Sequence, residues 1–132
     1  MNSDKELVEH FTSCLRSSKL RNLSESISPN FVFSSPRVNA YSFDQFCQHL
    51  EDWSINIEIE IINIEQDGNV YIIDQVIQTV DIPRNYFATA KRKIFVTVTD
   101  HIIQSVRVEF DAGPEEKAYM DSVNPILEKF KP

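Results

Sequence analysis

The chain has 132 residues, with 20 acidic against 13 basic side chains and a formal charge of −7. Apolar residues make up 42% and charged residues 25%, the balance of one folded domain and not of a disordered, collagenous or disulfide-dense chain. The acidic surplus excludes a phosphate-tracking nucleic-acid binder, because counterion release needs clustered Lys and Arg.

Ser3-Asp4-Lys5-Glu6 is a capping box, and Leu7, Val8, Phe11, Cys14 and Leu15 follow at helical spacing. Leu20, Leu23 and Ile27 predict a short second helix that stops at Ser28-Pro29-Asn30, and residues 31–35 read as a short strand ended by Pro36. A second capping box, Ser42-Phe43-Asp44-Gln45, opens a helix with Phe43, Phe46, Cys47, Leu50 and Trp53 on its inner side.

From Ser54 the period changes to two. Ile55, Ile57, Ile59 and Ile61 alternate with polar residues, and a slip at Ile61-Ile62 predicts a bulge after which Ile62 and Ile64 carry the apolar phase. Asp67-Gly68-Asn69, residues 82–85 and Asp100-His101 punctuate the rest, which predicts a meander of four long antiparallel strands ending near Phe110. Pro114-Glu115-Glu116 suits a helix start in the tail, which Asn124-Pro125 interrupts before Ile126, Leu127 and Phe130. No repeat or linker is visible, so one domain over residues 1–132 is expected, with a core over about 4–111 and a tail over 112–132.

The longest apolar run is the four residues Val70 to Ile73, far short of the roughly 20 that a spanning helix needs. Asp4 and Glu6 stand where an export signal would be basic then apolar. A cytoplasmic protein without membrane contact is therefore expected, with Cys14 and Cys47 as reduced, buried thiols.

Helices followed by a bent meander form an α+β arrangement in which a curved antiparallel sheet wraps around N-terminal helices. The order resembles the nuclear transport factor 2-like superfamily, of cystatin-like cone shape, which includes SnoaL-like cyclases and ketosteroid isomerases. The opening helix pair, the strand Phe31-Val32-Phe33-Ser34-Ser35-Pro36 and the closing run from Ile103 to Asp111 carry the resemblance. It implies a pocket between helices and sheet, and a homodimer paired through the sheet face. The isomerase pattern, carried onto this chain, falls on Phe11, Ser35 and Ile94 where the isomerases place a tyrosine, an aspartate base and a protonated aspartate. None of the three side chains can supply that proton transfer. The resemblance also turns Val106, Val108 and Phe110 toward the pocket.

Asp74 interrupts an apolar strand and Asp111 closes the last one, so these are the candidate catalytic carboxylates; the competing readings are a solvent-face residue and a strand-ending cap. Gln75 and Arg92 are expected on the pocket side, where they could fix a carbonyl or carboxylate, with Phe46 among the apolar lining. His10 and Cys14 share a helix face at i,i+4, and His101 reads as a solvated turn residue. Three scattered histidines and two cysteines make no zinc spacing, and Gly68 and Gly113 make no phosphate loop, so neither metal nor nucleotide cofactor is expected. Three functions remain open: an apolar-small-molecule binder, a cyclase, isomerase or dehydratase acting on a carbonyl substrate, and a protein-interaction module.

Overall fold

The computed structural model describes residues 4–17, 19–36, 40–51, 56–110 and 113–123. Ser3, Trp53, Ser54, Ile55, Asp111 and the segment from Asn124 onward lie outside the described residues, as does the Leu50 side chain. Helix α1 runs Asp4–Ser17 and buries Leu7, Val8, Phe11, Thr12 and Cys14 on one side. Thr12 survives burial because its hydroxyl donates to the Val8 and Glu9 carbonyls at 3.1 and 2.8 Å.

The predicted second helix is a 3₁₀ helix over Leu20–Ser26, whose three-residue repeat buries Leu20 and Leu23. Ile27 does not belong to it. Strand β1 spans Ile27–Ser34, earlier than the expected start at Phe31, and contains Pro29. Proline is tolerated there because β1 is an edge strand and its pairing is irregular between Ile27 and Val32. Helix α2, Phe43–Glu51, begins with the predicted capping box. The Gln45 amide donates to Ser42 Oγ at 3.2 Å, and the Ser42 amide donates to Gln45 Oε1 at 2.9 Å.

Four antiparallel strands follow: β2 (Asn56–Asp67), β3 (Val70–Asp81), β4 (Tyr86–Thr99) and β5 (Ile102–Glu109). The sheet order is β1-β5-β4-β3-β2, and β1 runs parallel to β5, so the curved sheet is mixed and not wholly antiparallel as expected. Phe33 on β1 also exchanges two backbone bonds of 2.8 Å with Tyr41, which closes part of that edge. The predicted bulge is present between Ile61 and Asn63. Its consequence differs from the expectation: Ile61 and Ile64 pack on the core, whereas Ile62, the extra residue, is 57% exposed. At the β4–β5 hairpin Asp100 and His101 have φ of 53° and 63°, the left-handed pair that a two-residue type I′ turn requires.

The inner face of the sheet carries Tyr71, Ile73, Gln75 and Ile77 on β3, and Ile94, Val96 and Val98 on β4. Helices α1 and α2 cover one half of it with a ring cluster in which Phe33 and Phe46 stack at 4.2 Å. Helix α3, Pro114–Val123, lies at the other end, where Tyr119 is buried. Among the described residues, no helix is long and apolar enough to cross a membrane.

Candidate functional site

Strand alternation decides which side chains reach the interior, because a period of two sends neighbours to opposite faces. Gln75 and Arg92 sit opposite each other across β3 and β4, both on the inner face. Gln75 is 3% exposed, and its amide has no hydrogen-bond partner among the described residues. Arg92 is half-buried, with its guanidinium 4.8 Å from the centre of the Phe110 ring. Cross-strand neighbours stand about 5 Å apart at Cβ, so one small polar group can meet both side chains. Ile61 is the β2 partner of Gln75 and lines an open groove of 780 Å³ with Leu15 and Ile59. Glu58, Glu60 and Gln78 also line it, so this groove is mixed in character and not the apolar hollow expected.

The other expected lining residues lie deeper. Phe11, Phe46, Ile94, Val106 and Val108 are buried in the packed core together with the other rings of α1 and α2. Ser35, just beyond β1, is half-buried. Asp74 is on the opposite, outer face with Lys93 3.8 Å away, so it cannot act as a base inside the cone. Asp111 is outside the described residues. His10 and Cys14 do meet, with Nε2 3.8 Å from Sγ, although Cys14 is buried and His10 exposed. His101 is not simply a solvated turn residue, because its Nδ1 lies 3.1 Å from Asp4 Oδ1 at the start of α1.

A cluster that the sequence did not reveal lies where α3 meets the β3–β4 connection. Asp81, at the close of β3, is buried and accepts a 2.8 Å bond from the Tyr119 hydroxyl. It also accepts from the Arg84 amide at 3.2 Å and from the Arg84 guanidinium at 3.1 Å. Tyr86 stacks flat on Tyr119 with ring centres 3.8 Å apart. Burial pushes the Asp81 carboxyl up, but the bonds from Tyr119 and Arg84 together with the Arg84 charge outweigh it and hold the group below its ordinary 3.8. Tyr119 is pushed up to about 12 by burial, and further by its bond to Asp81 and that carboxylate's charge. Burial and the charges of Glu116 and Glu115 raise Tyr86 as well. The only local hint was an acid ending an apolar strand, since Tyr119 lies 38 residues away. Among the described residues, no group of three or more His, Cys, Asp or Glu side chains is arranged to hold a metal ion.

No family model matches the sequence, and no curated protein matches it. Solved structures do resemble it. A protein from a Jannaschia species assigned as a SnoaL-like polyketide cyclase is 13% identical, covers 92% of this chain and 91% of its own, and superposes with a TM-score of 0.74. A nuclear transport factor 2-like protein of unknown function from Cytophaga hutchinsonii is 16% identical over 84% of this chain and 92% of its own, with a TM-score of 0.68. An epoxide hydrolase of the LEH-like kind from M. tuberculosis is 16% identical over 82% and 78%, with a TM-score of 0.66. Identities this low speak to architecture, and the architecture agrees in helix placement, sheet curvature and coverage: the chain has the nuclear transport factor 2-like fold.

Proposed function

We propose that this protein binds a small, mostly apolar molecule bearing a carbonyl or carboxylate, and that it lacks the isomerase-type apparatus for proton transfer. The observation that carries the reading is Gln75, a polar residue only 3% exposed on an otherwise aliphatic face, facing Arg92 across the strand pair. A ligand oxygen that accepts from the amide in this largely apolar surround gains about 0.5–1.5 kcal/mol net. Arg92, resting on Phe110, adds a charged donor to the same oxygen or its neighbour. Phe11, Ser35 and Ile94 stand at the isomerase-like positions and offer neither a base nor an acidic donor of suitable strength.

The enzymatic alternative has one specific support. Asp81 is an ionised carboxylate on the same inner face, although its oxygens already accept from Tyr119 and Arg84. The binding reading is therefore preferred.

Thermal shift with a panel of aromatic and medium-chain aliphatic carboxylates and ketones tests it. A ligand present at 100 times its Kd adds about 2.7 kcal/mol, so at least one compound should raise the Tm of the wild type by several degrees. Gln75→Leu and Arg92→Met should each abolish most of that shift. No shift with any compound, or an undiminished shift in both variants, rejects the reading.

A further inference from the structure

Between the Gln75 and Arg92 pair and the Asp81 and Tyr119 cluster, the inner face of β3 and β4 changes character. Its side chains stand in cross-strand rows: Gln75 with Arg92, Ile77 with Ala90, Thr79 with Ala88, and Asp81 with Tyr86. The first and last rows carry large or charged groups. The two between them have only alanine on β4, and both alanines are half-buried. Strand β5 ends at Glu109, opposite Lys93, so it places no side chain beside Ala88 or Ala90. The backbone of β4 is therefore the floor of a trough, with Ile77 and Thr79 along one side. At its far end Tyr119, the buried one among the described side chains of α3, stacks on Tyr86 and bonds to Asp81.

We infer that the trough takes the straight hydrocarbon chain of a monocarboxylate whose head lies at Gln75 and Arg92 and whose methyl end stops against Tyr86 and Tyr119. This rests on the reading that Gln75 and Arg92 hold the polar group of the ligand, and adds its shape, length and direction. Arg92 and Tyr86 are six residues apart on β4, about 20 Å in an extended strand, and the two alanine rows take up about 14 Å of it, room for an extended chain of about ten carbons. The floor is one strand wide, about 5 Å, which suits a polymethylene chain and not a fused ring system. Charge sets the direction. Arg92 is cationic, whereas at the far end Arg84 balances Asp81, and Glu115 and Glu116 of α3 leave that end acidic, their charges reaching Tyr86. A carboxylate is drawn to the first end and repelled from the second, which excludes a dicarboxylate of the same length.

Calorimetric titration of the full chain with hexanoate, octanoate, decanoate, dodecanoate and tetradecanoate tests it. Affinity should rise about fourfold with each added methylene as far as decanoate and then level off. Ala88→Phe fills the row next to Tyr86 and should weaken decanoate by roughly tenfold or more while leaving hexanoate unchanged. Tyr119→Ala should carry the plateau to longer chains, and decanedioate should bind the wild type roughly tenfold more weakly than decanoate. Circular dichroism verifies the fold of each variant, and Ala88→Val should give the same order of losses in weaker form. Affinity that climbs steadily through tetradecanoate, equal losses of hexanoate and decanoate in Ala88→Phe, or decanedioate as tight as decanoate overturns the inference. Where Arg92→Met still abolishes binding but these length effects are absent, the trough alone falls. Failure of every one of these acids to bind the wild type, or binding undiminished in Arg92→Met, overturns the reading of Gln75 and Arg92 and the trough with it.

Discussion

Helices α1 and α2 at one end and α3 at the other cover the same inner sheet face, and they hold it by different physics. The α1/α2 half is closed by rings and aliphatic chains that are almost fully buried, with Phe11, Ile73, Val96 and Ile103 at 0% exposure. The α3 half is closed by a stacked tyrosine pair and one carboxylate that accepts from Tyr119 and Arg84. Area-driven closure is indifferent to proton concentration and intolerant of lost volume. The α3 closure is directional, small and tied to the charge on Asp81. The Gln75 and Arg92 pair lies along the strands between these two covers, so any ligand there meets an unyielding wall on one side and a releasable one on the other.

The largest break in this comparison comes from Phe11→Ala. Removing a fully buried ring should cost about 3–5 kcal/mol, measured by urea unfolding, and should do so equally across the pH range. Tyr119→Phe deletes one hydroxyl and should cost about 1 kcal/mol while leaving the α1/α2 half intact. Its pH dependence gives the sharper contrast. Asp81 has a folded pKa below its unfolded value of 3.8, so the stability that it contributes is present above that value and is lost as pH falls through the lower folded one. Tyr119 has the opposite sense: its folded value of about 12 exceeds the ordinary 10, so its contribution is present below pH 10 and is lost as pH rises from 10 to 12. Ultraviolet titration of the wild type should therefore show a tyrosine step near 12, and Asp81→Asn should move that step back toward 10. The smallest effect is expected on the outer face, where Asp74→Asn removes an exposed pairing with Lys93 and should change stability by less than about 0.5 kcal/mol.

Much of the fold was legible locally. The Ser42 and Gln45 box, the period-two run through β2 and the bulge after Ile61 are all signals contained within a few residues, and each is present. The start of β1 was missed because Ser28-Pro29 reads as a stop, whereas only its place at the sheet edge makes proline harmless. Ile62 was assigned inward because alternation cannot tell which residue of a bulge is the unpaired one. For the candidate site, the alternation on β3 and β4 sufficed to put Gln75 and Arg92 on one face. It gave no means of finding the Asp81 and Tyr119 pair, since nothing local links the end of a strand with a helix in the tail.

The parallel pairing of β1 with β5 has a consequence for how the chain is made. Ile27 and Phe33 find their strand neighbours at Ile103 and Val106, and Asp4 meets His101, 97 residues later. Partners this distant make for slow closure. During synthesis the phenylalanines of β1 can meet the rings of α2 early, but the backbone edge that β1 offers to β5 stays open until the last hairpin has left the ribosome.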